Sequence, residues 1–356
     1  MLAELPLLES RLLRAPQPGE QYRFHFDAKK CIGCKCCVVA CNEQNGNPGD
    51  LQWRRVFAIE SGVFPETRLQ HVSSACHHCV EPSCLKGCPV KAYTKDTATG
   101  VVIHDADQCI GCQYCVWNCD YGVPQFNEAR GVVGKCDLCH NRLADGDQPA
   151  CAQACPEDAI AIETVAMTPG VRSTTLVTGA DVSLKLPIRP HAEPSLVALL
   201  LLSQLSVGLL AAQVAKGAGN WWPAAICAAA MALAPLHLGR PIHAARALLG
   251  WRTSWLSREV IALSAYFALA ALERGPLALA AGIAAVYCSA RIYMVPARPR
   301  WNTPATVARF YATAALLGLP LFFALEGSVL WAMLFVVALI VEWRARTKFF
   351  LEGMAS

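Results

Sequence analysis

The pattern of apolar and polar positions divides the chain near Ser195. From there "SLVALLLLSQLSVGLLAAQVA" (195–215) runs 21 residues without a charge, long enough to span a bilayer core. Further apolar runs follow at about 221–238, 258–273, 277–295, 304–324 and 328–343, separated by short basic or Gly/Pro turns. Any one alone reads as a buried helix of a soluble protein; six in succession predict an all-α polytopic membrane bundle. Upstream the apolar runs are short and alternating. "YRFHFD" (22–27) and "AIAIETV" (159–165) are predicted strands that pair with each other. "VKAYTKDTATGVVIHDADQC" reads as strand, turn, strand, with Thr97, Ala98, Thr99 and Gly100 at the turn. The expected organisation is an α+β domain over 1–165, a linker over 166–194 ("MTPG", "LPIRPHAEP") and a bundle over 195–356.

Charge follows the same division. Residues 196–356 carry 13 Lys or Arg against 5 Asp or Glu, and the rest of the chain carries 18 against 22. The basic half does not read as nucleic-acid binding, because its arginines punctuate apolar runs. They cluster on one side. Arg240, Arg246, Arg252 and Arg258 lie between the second and third runs, and Arg291, Arg298, Arg300 and Arg309 around the next such loop. Arg344, Arg346 and Lys348 follow the sixth run. By the positive-inside rule that side is cytoplasmic, and the N-terminal domain shares it. The same arginines would equally serve to dock the acidic domain.

The chain has 19 cysteines, 17 of them between Cys31 and Cys155. Disulfide frameworks belong to small secreted scaffolds, which this long apolar chain does not resemble. Residues 1–20 have acids inside their only apolar stretch and no twin-arginine pair, so no cleavable leader is expected. Metal ligation is the better reading. "CIGCKCCVVAC" gives Cys31, Cys34, Cys37 and Cys41 in the spacing of a cubane iron–sulfur motif, and "CIGCQYCVWNC" repeats it with Cys109, Cys112, Cys115 and Cys119. Two other groups alternate with these: Cys76, Cys79, Cys84 and Cys88, then Cys136, Cys139, Cys151 and Cys155, each ending in Cys-Pro. Sixteen cysteines in four groups suffice for four 4Fe–4S clusters. Paired C-x-x-C motifs also close zinc sites, but zinc needs neither the third cysteine nor the Cys-Pro.

The hairpin joins the second and third groups into one two-cluster module, and the first and fourth groups then pair around it. The fold class is an α+β ferredoxin-like module, two interleaved two-cluster units, followed by the membrane bundle. Cys36 falls outside the spacing, and Cys227 and Cys288 read as buried small hydrophobes. Gly33 and Gly111 precede the second cysteine of their groups, where little room for a side chain is expected. Lys35, Lys86 and Lys135 read as solvated, and His77, His78 and His140 as neighbours of ligands or surface residues. A diheme anchor needs paired histidines deep in the spans. His237 and His243 lie at or beyond the end of the second run, so no haem is expected. His237, Arg240, Arg258 and Glu259 fall near one membrane border, where ionisable groups are costly unless used or paired.

The four cysteine groups, with "CDYGVP" and "KCDLC", resemble the iron–sulfur subunit of the dimethyl-sulfoxide-reductase family. "HLGRP", "SWLSREV" and "ARIYMVPARPRWNT" resemble that family's membrane anchor subunit, so the chain looks like the two fused. The resemblance implies cluster sharing: Cys31, Cys34 and Cys37 with Cys155; Cys136, Cys139 and Cys151 with Cys41; Cys76, Cys79 and Cys84 with Cys119; and Cys109, Cys112 and Cys115 with Cys88. Cys112 stands where relatives with a three-iron cluster have tryptophan, which implies four four-iron clusters. Cys36 has no role in that scheme. The resemblance also implies a quinone or quinol site using His237 and Glu259, a molybdopterin-containing catalytic partner, and an inner-membrane location. The family anchor usually has eight helices where this chain shows six. The alternative reading is a membrane-bound polyferredoxin that serves soluble partners without a dedicated catalytic subunit.

Overall fold

The computed structural model describes residues 14–168, 176–178 and 192–354, so most of the expected 166–194 linker lies outside the described residues. In chain order the elements are β1 (Glu20–Asp27), α1 (Cys36–Asn45), β2 (Arg55–Ser61), β3 (Arg68–Ser74), α2 (Ser83–Gly87), β4 (Tyr93–Lys95), β5 (Val102–His104), α3 (Tyr114–Asn118), β6 (Gln125–Asn127), β7 (Val132–Gly134), α4 (His140–Ala144), α5 (Ala150–Gln153), β8 (Ile160–Ala166) and β9 (Leu176–Thr178). The helices α6 (Pro194–Lys216), α7 (Trp222–Leu233), α8 (Trp255–Ala271), α9 (Gly275–Tyr293), α10 (Pro304–Leu325) and α11 (Val329–Met354) follow, with two tight 3-10 segments, Ala234–His237 and Pro241–Leu248, after α7. This is the expected ferredoxin-like α+β half followed by an all-helical half.

Two compact units emerge, and they interleave along the chain. One comprises Met1–Pro82, Tyr93–His104 and Gly134–Leu184; the other comprises Ser83–Ala92, Asp105–Val133 and Lys185–Ser356.

In the first unit β1 lies between β8 and β9. It pairs antiparallel with β8 in the register Tyr22↔Thr164, Phe24↔Ile162 and Phe26↔Ile160, the pairing expected from the sequence. Alternation places Tyr22, Phe24 and Phe26 on the buried face. The hairpin between the second and third cysteine groups forms as β4–β5, with Tyr93 opposite His104. The Tyr22 N–H donates to the Thr99 carbonyl at its turn (2.9 Å), tying β1 to the hairpin.

In the second unit the six expected apolar runs are all helical, but they differ in spanning capacity. By length and composition α6, α9 and α10 can each cross a membrane, and α7 with the following bent segment makes a fourth candidate. The α7 helix stops at Leu233 because Pro235 and Pro241 cannot continue its hydrogen-bond ladder, and the axis turns by 109°. With 17 residues α8 is short, and Glu342, Arg344 and Arg346 interrupt α11. Apolar Val329, Met333, Val336 and Ile340 project outward from α11, as a lipid-facing surface does and a water-facing one does not. Glycine brings α6 and α10 into close contact. A Cβ on Gly208 of α6 would lie 1.8 Å from the Ala314 carbonyl oxygen of α10, and one on Gly318 would lie 2.2 Å from the Gly208 carbonyl carbon. Small residues at this spacing let two spanning helices touch backbone to backbone.

Candidate functional site

In the first unit Cys31, Cys34, Cys37 and Cys155 line one cavity with Phe26 and Ile160. Cys36 does not line it and is exposed at the start of α1, hydrogen-bonded to Cys34. Cys41, Cys136, Cys139 and Cys151 gather in a second group. Burial, reinforced by Cys151, Cys139 and Asp137, pushes Cys41 up to about 12, and Cys136 is driven up by burial together with Cys76 and Cys41. Thiols so buried and so crowded resist ionisation unless a positive centre is supplied. The donor chemistry therefore fits an iron–sulfur cluster. Among the described residues no three His, Cys, Asp or Glu side chains converge on the position of a single metal ion.

The backbone is built to serve the sulfurs. In the first C-x-x-C turn of each cysteine group the third residue has a positive φ: Gly33 (73°), His78 (43°), Gly111 (70°) and Leu138 (59°). That left-handed kink is free for glycine and strained for His78 and Leu138, which burial holds in place. It turns N–H groups onto sulfur: Gly111 onto Cys109 and Leu138 onto Cys136, both at 3.4 Å. Both Cys-Pro turns repeat a second device. Lys91 (56°) and Asp158 (47°) are left-handed, and the next residues, Ala92 and Ala159, donate to Cys88 and Cys155 at 3.3 Å. The tight space expected at Gly33 is real, since a Cβ there would meet the His71 ring at 2.7 Å.

Near the thiols, Arg54 escapes the sequence reading, Lys135 departs from it, and His78 takes the ligand-neighbour position that was one of its two alternatives. Arg54 is fully buried, its guanidinium 4.4 Å above the Phe24 ring, and Nη1 donates to Ser73 Oγ (3.0 Å), which in turn contacts Cys37 Sγ (3.6 Å). Burial pulls its pKa down, but the thiols of Cys151, Cys37, Cys136 and Cys41 outweigh that and hold it above the ordinary value. Arg54 thus supplies positive charge to two cysteine groups at once. Lys135, expected to be solvated, is buried instead and holds the Val102 and Cys136 carbonyls. His78 is also interior: its Nδ1 accepts from the Val102 N–H (3.0 Å) and its Nε2 lies 3.9 Å from Cys136 Sγ.

In the second unit Cys88 and Cys109 stand with Cys112, which burial pushes up to about 12, Cys88 and Cys109 adding to the push; Cys115 is buried on α3. Cys84 and Cys119 also belong to this unit, whereas Cys76 and Cys79 belong to the first. The "HLGRP" segment presses on this cysteine group through glycine. A Cβ on Gly111 would lie 2.3 Å from the Gly131 oxygen and 2.8 Å from Gly239 Cα, and a Cβ on Gly239 would lie 2.2 Å from the Gly131 oxygen. The Arg240 N–H donates to the Ile110 carbonyl (3.1 Å). The guanidinium groups of Arg240, Arg246 and Arg298 donate to the carbonyls of Ala106, Asp107 and Val116. These arginines hold backbone oxygens of the third cysteine group, so their position is explained without any membrane potential. "ARIYMVPARPRWNT" serves the same junction: Tyr293 and Trp301 pack on Trp117 of α3, each with ring centroids 5.7 Å away.

Glu259 lies one turn inside α8 rather than at its start, is 7% exposed, and accepts a hydrogen bond from Ser289 of α9. It is within electrostatic reach of Tyr114 and Tyr293. Tyr114 adjoins Cys112, and burial pushes its phenol well up, with Cys112 and Glu259 adding to the effect. His237 closes the 3-10 turn after α7 with a buried Nδ1 that has no hydrogen-bond partner among the described residues. Arg258 directs its guanidinium to the Trp251 and Arg252 carbonyls and stacks 4.4 Å over Trp255. Among the described residues no hydrogen bond or ion pair joins His237, Arg240, Arg258 and Glu259 to one another. Tyr114, Ser289 and Tyr293 surround Glu259 instead, and no spacing in the sequence marks them.

Thiol groups paired in this way on a ferredoxin-like scaffold define an iron–sulfur electron-transfer protein. The 4Fe-4S dicluster domain family matches residues 67–165. The sequence is 38% identical over 144 residues to an anaerobic dimethyl sulfoxide reductase chain of Escherichia coli (strain K12), a match covering 38% of this protein and 70% of that one. It is 37% identical over 155 residues to a sulfite dehydrogenase subunit of Allochromatium vinosum (38% of this protein, 65% of that one). It is 35% identical over 167 residues to the formate dehydrogenase iron-sulfur subunit of Haemophilus influenzae (40% and 54%). The chain therefore belongs to this family of iron–sulfur electron-transfer subunits, and its helical half, outside the dicluster match, fits a fused membrane anchor.

Proposed function

We propose that this chain relays electrons through four 4Fe–4S clusters between a molybdopterin-containing catalytic subunit and membrane quinone or quinol. The ligands are Cys31, Cys34, Cys37 and Cys155; Cys136, Cys139, Cys151 and Cys41; Cys76, Cys79, Cys84 and Cys119; and Cys109, Cys112, Cys115 and Cys88. The observation that carries the reading is the junction in the second unit. There the helix bearing Cys115 packs Trp117 against the bundle and brings Tyr114 within reach of Glu259. Bound clusters supply one-electron carriers. The chain's own residues fix the thiols, direct N–H groups at sulfur and offer a carboxyl and an imidazole for protons near the membrane border. The domain division proposed with this reading is 1–165 for the clusters, 166–194 for the linker and 195–356 for the anchor, with about six transmembrane helices.

Anaerobically purified protein is expected to hold about sixteen irons per chain, the content of four cubanes. Cys36→Ser should leave that number unchanged and Cys37→Ser should lower it by a cluster. Stoichiometric zinc with little iron would overturn the assignment. Co-purification of a large molybdenum subunit separates this function from a polyferredoxin without a dedicated catalytic partner.

For location we propose the inner membrane with the cluster domain on the cytoplasmic side. The arginines at 252, 291, 300 and 344, unlike those that hold carbonyls of the third cysteine group, support it. Reporter fusions after Arg252 should report cytoplasm, and near Gly217 the opposite side. The reverse pattern would place the cluster domain outside.

A further inference from the structure

The open end of a hairpin places a cation among the thiols of the first unit. Arg54 precedes β2, whose Arg55 pairs with Ser74 of β3, so Arg54 comes to lie beside Ser73. Both are buried, and the Phe24 ring of β1 covers the guanidinium at 4.4 Å. Among the described residues no carboxylate forms an ion pair with Arg54. A buried cation without a counter-anion is costly, and a guanidinium does not escape the cost by losing its proton.

Its donors show where the missing anion belongs. Nη1 donates to Ser73 Oγ (3.0 Å). That oxygen is then an acceptor, and its single hydrogen is left for Cys37 Sγ, 3.6 Å away. Nε and Nη2 are buried with no hydrogen-bond partner among the described residues. Arg54 lies within electrostatic reach of the thiols of Cys151, Cys37, Cys136 and Cys41. Lys135 differs, because its ammonium is spent on the Val102 and Cys136 carbonyls. In the other unit the buried Arg298 lies near Cys119 but also near Asp120, whose carboxylate offsets its charge. Two unspent donors on a fixed cation, facing thiols from two ligand sets, fit sulfur that carries negative charge.

We propose that Arg54 is the shared counter-cation of two clusters and raises the reduction potential of both. One is held by Cys31, Cys34, Cys37 and Cys155, the other by Cys136, Cys139, Cys151 and Cys41. A cysteine-ligated cubane becomes one unit more negative when it takes an electron, and its potential follows net charge and hydrogen bonds to sulfur. A cation fixed in a buried, weakly screened position therefore favours the reduced form over the oxidised one. Ser73 extends the effect to Cys37 through a hydrogen bond that the guanidinium polarises. Three of the four thiols facing Arg54 belong to the second set, so the larger effect falls there. Arg54 is a positioning residue for electrons: it makes this pair of clusters a place where they settle.

The inference rests on the four-cluster reading above. The test is a potentiometric titration of the detergent-solubilised full chain, followed by EPR, with iron counted on the same samples. Arg54→Gln removes the charge and should lower two midpoints unequally, the larger fall being tenfold or more in the reduction constant, about 59 mV per tenfold for one electron. The other two midpoints should stay in place. Arg54→Lys keeps the charge and should bring the lowered pair back toward wild type. In wild type grown with guanidinium-labelled nitrogen-15 arginine, pulsed EPR of the reduced clusters should show a nitrogen coupling that Arg54→Lys abolishes. Midpoints unmoved in Arg54→Gln, all four lowered alike, or a lysine variant no closer to wild type than the glutamine one overturns the assignment. So does a reduced wild type without the guanidinium coupling, a result that stands even if both variants lose iron. Wild type without the iron of four clusters would sink the underlying reading instead, and the iron count shows that before any variant is compared.

Discussion

Glu259→Gln is expected to lower quinol-linked turnover by about 10²–10⁴-fold, the usual worth of a positioned proton-transfer group. Iron content and electron transfer to a soluble dye should stay at the wild-type level. Glutamine has the shape of the carboxylic acid and still accepts from Ser289, so packing between α8 and α9 is kept. What it cannot do is exchange a proton. His237→Ala should act in the same direction, because the buried Nδ1 has no hydrogen-bond partner among the described residues to lose. Steady-state assays with a quinol and a dye, run on the same preparations, check both. A parallel fall of the two activities would make the pair structural, and undiminished quinol-linked turnover in both variants would move the site elsewhere in the bundle.

Gly208→Val is expected to destroy the bundle. The added Cβ falls 1.8 Å from the Ala314 oxygen and 2.7 Å from its carbonyl carbon. These are backbone atoms of a helix, which cannot swing aside as a long side chain does. Overpacking of a core usually costs about 1–3 kcal/mol, and this case belongs at or above the top of that range. The same change at Gly219, which has open space around its Cβ position, should be neutral. Thermal unfolding of the detergent-solubilised protein compares the two; equal melting temperatures would show that α6 and α10 do not pack as described.

What the sequence displayed and what it hid follow from range. Cysteine spacing, the β4–β5 hairpin and the pairing of 22–27 with 159–165 rest on patterns of period two or on local repeats, and all were legible. The helices were legible as apolar runs. Their ends were not: Pro235 and Pro241 break the second run, and α8 begins at Trp255, a turn earlier than its run of apolar residues suggests. Arg54 and Lys135 were hidden for a different reason. A lone cation in a polar stretch reads as solvated, and only the fold brings thiols and carbonyls around it. The glycines at 111, 131 and 239 are far apart in sequence, so their shared contact leaves no local trace. Arg346 read as a loop charge because it follows the last apolar residues, yet α11 continues to Met354 and carries it inside.

The glycine-lined contact between "HLGRP" and the third cysteine group has a consequence in mass action. A cluster domain and a membrane anchor made as separate polypeptides must find each other by diffusion, and their junction must be tight enough to survive dilution. Joined in one chain, the two faces meet at an effective concentration of the order of millimolar. A junction of three bare glycines and a few arginine–carbonyl bonds then stays closed at affinities that would leave a two-chain assembly partly apart. On the proposed function, carrier and anchor are produced at one-to-one stoichiometry, so no surplus of either half is left with its contact face open to aggregation.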